Sequence, residues 1–205
     1  MITIVDYGMG NLGSIKNMLK RVGAACLVSS KASDIEQAEK VILPGVGSFD
    51  AGMKVLEELK ILPMLDKKAL IDRIPILGVC LGMQLLMGRS EEGQRPGLGW
   101  IKGEVVKFRF EGQDNRLKIP HMGWNAIVAA KPSPLLQGID AESRFYFVHS
   151  FHVECGDPED ILARTEHGYS FVSALQRGNI MGVQFHPEKS HKFGMQLLKN
   201  FAEAV

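Results

Sequence analysis

Short apolar runs with no polar alternation, each closed by a turn and followed by a segment of helical period, constrain this chain more than any other feature. Ile2–Val5 leads to Leu12, Ile15, Leu19 and Val22, which recur at helical spacing and stop at Gly23. A strand over 26–28, a short polar helix over 33–38 and a strand over 41–43 come next. Beyond Pro44-Gly45-Val46-Gly47 a helix is expected over 49–59, and residues 74–79 form a strand that runs into a helix over 81–87. Strands that are apolar on both faces belong in a parallel sheet covered on both sides, and the intervening helices supply its crossovers.

The second half changes character. Residues 104–110, 125–129, 144–151, 170–176 and 179–185 read as strands separated by turn residues, and a closing helix over 190–202 presents Phe193, Leu197, Leu198 and Phe201 on one face. The expected architecture is therefore α/β: a mostly parallel sheet flanked by helices, with an antiparallel extension, in one domain over residues 1–205. The nine prolines are scattered rather than gathered into a linker.

Charge and apolar run length narrow the function classes. With 24 Lys and Arg against 23 Asp and Glu, there is no basic excess of the kind that neutralises nucleic-acid phosphates or an acidic membrane surface. The longest apolar run, residues 74–87, includes Gln84 and falls short of the roughly 18 to 20 residues that span a bilayer. Asp6 follows Ile2–Val5 at once, so no secretory signal is expected. Cys26, Cys80 and Cys155 are odd in number and far apart, which points to a reducing cytoplasm rather than a disulfide framework.

In parallel sheets of this kind, ligands sit beyond the carboxyl ends of the strands, here just after Leu43, Val79 and Phe185. Gly78-Val79-Cys80-Leu81-Gly82 places a cysteine at a strand-to-helix turn, where it is lifted clear of the sheet and the helix amino end favours thiolate over thiol. The competing interpretation is a buried cysteine acting as a small hydrophobe; it suits Cys26, expected in a core strand, while Cys155 sits beside a turn. A thiol nucleophile needs a base and a group that orients it. His186-Pro187-Glu188, after the last strand, provides both. His121 and His149 fall in or near strands, and His152, His167 and His191 in polar surroundings. In Pro44-Gly45-Val46-Gly47, glycine on each side of Val46 lets its N–H turn toward a developing oxyanion, with the Leu81 N–H as second donor.

No pair of His or Cys falls at zinc-ligand spacing, His149 with His152 lacking a second pair, and no metal or organic cofactor is expected. Gly8-x-Gly10-x-x-Gly13 matches a dinucleotide-loop pattern, but so short a pattern recurs by chance and leaves the elbow and His-Pro-Glu unexplained.

Together these segments resemble the class I glutamine amidotransferases, in which an oxyanion turn, a Cys elbow and a late His-x-Glu occur in this order. The likeness extends over essentially the whole chain. Within that family the chain is most similar to glutaminase subunits of imidazole glycerol phosphate synthase. The marks are Val5-Asp6-Tyr7-Gly8-Met9-Gly10-Asn11-Leu12, the Cys80 elbow continued through Met83-Gln84-Leu85-Leu86, His121-Met122-Gly123-Trp124-Asn125, Tyr146-Phe147-Val148-His149-Ser150, and Gln184-Phe185-His186-Pro187-Glu188-Lys189-Ser190.

The resemblance implies a flavodoxin-like sheet and a Cys80, His186, Glu188 triad. It also implies an oxyanion hole from Val46 and Leu81, and glutamine held around Gly47, Gln84, Glu92, Ser150 and the backbone of Phe151. It further implies a heterodimer with a (β/α)₈ cyclase, docked through Met122, Trp124, Asn125, Tyr146 and Lys189. The cyclase would use the channelled ammonia to make imidazole glycerol phosphate and aminoimidazole carboxamide ribotide in histidine biosynthesis. In the same picture, the Gly45–Val46 peptide turns when the cyclase binds its ligand. Residues 107–118, with Arg109, Glu111, Asp114 and Arg116, are longer and more charged than that pattern leads one to expect. Together with Pro96-Gly97-Leu98-Gly99-Trp100 and residues 190–195, they are similar to paralogues that supply ammonia for acetamidino-sugar formation in surface polysaccharide synthesis. A stand-alone γ-glutamyl cysteine hydrolase would share the elbow and histidine but have no use for a Trp-bearing docking patch, and a catalytically dead binding subunit would lack a member of the triad.

Overall fold

The computed structural model describes residues 1–110 and 117–205. Its main sheet runs β2 (Cys26–Ser29), β1 (Ile2–Val5), β3 (Lys40–Leu43), β4 (Ile76–Val79), β13 (Ile180–Val183), β12 (Tyr169–Arg177), β10 (Phe151–Cys155), β6 (Gly103–Lys107) and β5 (Arg89–Ser90). The first five of these are mutually parallel. From β13 outward the pairing turns antiparallel through β12, β10 and β6, as the antiparallel extension requires. Beside this path, β11 (Ile161–His167) pairs with β12 and with β8 (Val128–Ala129). A separate ribbon joins β7 (His121–Ala126) to β9 (Arg144–His149).

Because side chains alternate across a strand, the central strands feed two cores. Val41, Leu43 and Ile76 enter one, packed with Phe49, Met53 and Leu56 of α3 (Phe49–Glu58) and Leu81 and Leu85 of α5 (Leu81–Leu85). Ile42, Leu77 and Val79 enter the other, with Ile15 and Leu19 of α1 (Leu12–Arg21) and Leu197, Leu198 and Phe201 of α6 (His191–Glu203). The short α2 (Ala32–Glu36) and α4 (Leu62–Asp66) add Ile35 and Leu65 to the first core.

Several expectations change in detail. The single strand expected over 144–151 divides at Ser150: β9 belongs to the ribbon and β10 to the main sheet. The one expected over 125–129 divides likewise between β7 and β8. A period of two reports which side chains share a face but not which neighbour a strand pairs with, so a change of sheet is invisible to it. Strand β11 was not expected, nor were α4 and the π-helical turn Lys67–Ile71 that continues it. Leu70 and Ile71 are exposed there, which spoils the apolar period. Cys26 lies on the edge strand and is half-buried rather than in the core. Glu111, Asp114 and Arg116 lie outside the described residues. Among the described residues no helix is long and apolar enough to cross a membrane.

Candidate active site

β4 ends at Val79 and α5 begins at Leu81, so the chain reverses within one residue. Cys80 takes φ 53 and ψ −109, a region that costs a non-glycine residue about 1–3 kcal/mol and is held only by its surroundings. One such hold is visible: the Cys80 N–H donates to the carbonyl of Val183, the last residue of β13, at 2.8 Å. The elbow is thereby tied to the strand that carries His186.

His186 follows β13 by three residues and is buried. Its backbone N–H donates to the Tyr146 carbonyl at 2.9 Å, and its Nδ1 lies 2.8 Å from Glu188 Oε1. The Ser190 hydroxyl closes the turn, donating to the His186 carbonyl at 2.6 Å and accepting from the Tyr146 N–H at 3.0 Å. With Nδ1 committed to the carboxylate, Nε2 is the free end of the ring, and among the described residues it meets no partner at ordinary hydrogen-bond length. Burial works against the imidazolium, but interaction with the Cys80 sulfur and the Glu188 carboxylate outweighs it and pushes the His186 pKa up to about 9. Burial drives the Tyr7 phenol up as well, with the charge at Cys80 adding to the effect. Burial also raises Cys26 and pushes Cys155 up to about 11, so neither resembles an activated thiol.

A cavity of about 360 Å³ opens in front of Cys80, at the lower end of the roughly 300–1,000 Å³ of small-molecule sites. Val46, Gly47, Leu81, Gln84, Glu92, Ser150, Phe151 and His186 line it with Cys80. The fold thus brings together every residue expected at the nucleophile, the oxyanion hole and the glutamine site; Glu188 stands behind His186 rather than in the wall. Val46 is exposed to the cavity. Its loop is held by the Tyr7 hydroxyl, which donates to the Pro44 carbonyl. A Cβ on Gly45 would stand 2.5 Å from that hydroxyl and 2.8 Å from Leu81 Cβ, so only glycine lets this loop cross the elbow. The Leu81 N–H is the first of α5, where no intrahelical acceptor exists.

Two expected binding residues also have structural work. Glu92 accepts the Phe49 N–H at 2.8 Å through Oε2, capping α3, and leaves its other oxygen for a ligand. Gln84 is buried and its Nε2 donates to the Phe151 carbonyl at 3.1 Å and to Gln184 Oε1 at 3.0 Å, so Oε1 is the atom left for a ligand. Pro120, Val148 and His149 line the cavity as well and were not expected there. Gln184 was not expected at the nucleophile, where its Nε2 donates to Cys80 Sγ at 3.6 Å. The available signal was an amide inside the apolar run 180–185.

Of the residues expected to meet a partner, Met122, Trp124, Asn125 and Tyr146 lie on the β7–β9 ribbon, and Lys189 reaches it from the turn Pro187–Lys189. Met122 and Trp124 are 63% and 47% exposed, and the register sets them opposite Val148 and Tyr146. The Trp124 ring stacks on His191 with centroids 5.2 Å apart, and Lys189 Nζ sits 5.5 Å above the Tyr146 ring. Asn125 is half-buried and faces inward. The ribbon is continuous with the site, since Tyr146 bridges to His186 while Val148 and His149 line the cavity. His152, expected in polar surroundings, is buried, with Nε2 2.8 Å from the Tyr169 hydroxyl. In the charged stretch before the ribbon, Arg109 pairs with Glu91 at 2.9 Å, and that hydrogen bond, with one from the Lys107 N–H, lowers the Glu91 pKa. Among the described residues, Gly13, third in the dinucleotide-like pattern, would meet nothing within 4 Å if it carried a Cβ, whereas a dinucleotide loop needs that glycine for close packing of helix on strand.

Among known proteins, the family described as glutamine amidotransferase class-I matches residues 3–205. The chain is 55% identical over 205 residues to the imidazole glycerol phosphate synthase subunit HisH 2 of Pseudomonas aeruginosa, covering 100% of both. It is 51% identical over 201 residues to the subunit of the same name from Methanococcus maripaludis, covering 98% of each. A solved structure titled as a glutamine amidotransferase superposes with TM-score 0.77 at 20% identity, covering 99% of this chain and 98% of the other. At that identity the superposition speaks for the fold alone.

Proposed function

Because the chain belongs to the class I glutamine amidotransferase family, we propose that it is the glutaminase subunit of an imidazole glycerol phosphate synthase. In this reading it hydrolyses glutamine to glutamate in the cytoplasm and passes the ammonia to a (β/α)₈ cyclase subunit. The observation that carries the reading is that Cys80 and His186 meet at one wall of a cavity with Glu188 bonded to the back of the His186 ring, the imidazole being disposed to hold its proton at neutral pH.

The chemistry follows from that protonation. The Cys80 thiolate attacks the side-chain amide carbon of glutamine, and charge moves to the carbonyl oxygen, which the Val46 and Leu81 N–H groups receive. Collapse of this adduct expels the nitrogen. An amide anion is too basic to leave, so the departing group takes the proton from His186 Nε2 and departs as ammonia. The γ-glutamyl thioester remains on Cys80. His186, now neutral, takes a proton from water, and the hydroxide formed attacks the thioester carbonyl. The second collapse releases glutamate and restores the thiolate. Glu188 holds the ring tautomer and stabilises the imidazolium in both halves. Gly47, Gln84, Glu92, Ser150 and the Phe151 backbone hold the glutamine.

Ammonia released into water is mostly protonated and no longer nucleophilic, which favours delivery through a docked partner. Exposed Met122 and Trp124, beside Tyr146 and Lys189, support the ribbon as the docking surface, since exposed aromatic anchors characterise interface hot spots.

The test is glutamate release from glutamine by the purified chain, alone and with the cyclase plus its ribonucleotide ligand, with Cys80→Ala as blank. Strong stimulation that is absent from the blank is the expected result. Activity indifferent to the cyclase would move the assignment to the sugar-amidination partner or to a stand-alone hydrolase, and no activity under any condition would overturn the catalytic reading.

A further inference from the structure

We propose that Gln184 is a further catalytic residue, its side-chain N–H holding the Cys80 sulfur as thiolate, and that Gln84, His149 and His121 are positioning residues that fix which end of that amide faces the sulfur. The proposal rests on Cys80 being the nucleophile.

The orientation is dictated by hydrogen-bond logic from both ends. A backbone carbonyl can only accept, so the Gln84 end that faces the Phe151 oxygen at 3.1 Å is Nε2. The same nitrogen lies 3.0 Å from Gln184, which must present its own oxygen there. The other end of the Gln184 amide, Nε2, is then the group 3.6 Å from Cys80 Sγ. A carbonyl two residues along the chain from His149 thus settles that a donor rather than an acceptor points at the nucleophile.

The Phe151 oxygen is itself held by a second chain. His149 Nδ1 lies 2.8 Å from it and must donate. In the neutral ring, Nε2 then accepts, and its partner 3.0 Å away, His121 Nδ1, must carry hydrogen. That leaves His121 Nε2 as an acceptor, 3.3 Å from Asn125 Nδ2. The Asn125 amide is fixed in turn, donating to the Glu166 carbonyl at 2.9 Å while accepting the Ala126 N–H at 2.8 Å. Every member of the chain has one consistent role, and it holds only while both rings are neutral. Burial keeps them so, bringing the His121 pKa down to about 4, with help from His167, and the His149 pKa well below its ordinary range. The mechanism uses neither ring, and their alignment with two buried amides accounts for a tautomer-locked histidine pair of which His149 lines the cavity and His121 stands behind it.

His186, itself paired with Glu188, from the turn after β13, and Tyr7, from the end of β1, also interact with the sulfur. The test therefore reads the sulfur directly. In the full-length chain, the rate of Cys80 alkylation by iodoacetamide is followed against pH, with peptide mapping to separate Cys80 from Cys26 and Cys155. Gln184→Leu removes the donor; Gln184→Met removes it with a side chain that packs more adaptably and serves if the leucine variant does not fold. The expected result is that the pH of half-maximal alkylation rises by about one unit, a tenfold loss of thiolate at a given pH below it. A purely structural role would lower the melting temperature without moving that midpoint, and a folded variant whose midpoint coincides with that of the parent overturns the proposal. Glutamate release by the parent chain is measured in parallel. Its absence would overturn the glutaminase reading while leaving the alkylation result intact.

Discussion

Gly82 is where the elbow, the oxyanion loop and the sheet come closest, and replacing it by alanine tests whether that contact sets the site. A Cβ there would lie 1.8 Å from the Leu43 carbonyl oxygen and 2.8 Å from the Leu43 carbonyl carbon. Carbon and oxygen normally approach to about 3.3 Å, so α5 and the end of β3 must separate by roughly 1.5 Å. Both partners are backbone, and no rotamer change relieves the clash. Overpacking of this kind costs about 1–3 kcal/mol, of which the better helix propensity of alanine returns up to about 1 kcal/mol. The net cost is about 0–3 kcal/mol, and for a chain of this size each kcal/mol moves Tm by about 2–4 °C, so Gly82→Ala should melt up to about 12 °C lower. Function should suffer more than stability. Leu43 immediately precedes the loop that carries Val46, and Gly82 follows Leu81 and Cys80, so the separation opens the oxyanion hole itself. A misplacement near 1 Å can cost about 100-fold in rate. Glutamate release at saturating glutamine and a thermal melt read the two effects, with Gly13→Ala as control. Among the described residues nothing lies within 4 Å of the Cβ that alanine would add at Gly13, and that variant should be neutral or stabilised by up to about 1 kcal/mol. If Gly82→Ala melts within 1 °C of the parent and retains its rate within about twofold, the close-contact reasoning is refuted.

Two more outcomes follow from the site. Cys80→Gly and Cys80→Ala should both be inactive, yet the glycine variant should be the more stable by about 1 kcal/mol, because φ 53 strains any residue with a Cβ; denaturant titrations showing the alanine variant equally stable would argue against strain at the elbow. The His186 pKa of about 9 lies above the ordinary 6.5, so its contribution to stability is complete below about pH 6.5 and is lost as pH rises through 9. Glu188→Gln removes the charge that helps to raise it, so the decline in unfolding free energy between those pH values should become shallower. Parallel curves for parent and variant from urea unfolding at pH 6 to 10 would contradict that account.

Much of the site was legible because its chemistry is local in sequence. The elbow has glycines two residues either side of Cys80, the proposed base and its orienter are two residues apart in His186-Pro187-Glu188, and the proposed oxyanion turn has glycines on each side of Val46. Each follows directly on an apolar strand, and the ends of parallel strands lie at one edge of a sheet. What stayed hidden depends on partners distant in the chain. Gln184 reads as one polar residue in a buried strand until it is seen to bond Gln84, a hundred positions away. His121 and His149 read as unremarkable strand residues until the ribbon sets them opposite each other.

The sequence by itself determined the class of architecture, a parallel sheet covered on both faces with an antiparallel extension, through the period and continuity of its apolar runs. It also singled out the candidate nucleophile, base and oxyanion turn, through short-range spacing, and the fold gathers these around one cavity. Only the tertiary structure decided where the strands at 144–151 and 125–129 break to change partners, that Trp124 and Met122 face outward on a ribbon bonded to His186, and which end of each buried amide and imidazole points at the sulfur. The physical reason is the same throughout. Apolar period and turn chemistry are properties of neighbours along the chain, whereas sheet partners and hydrogen-bond direction are fixed by the groups that folding brings opposite.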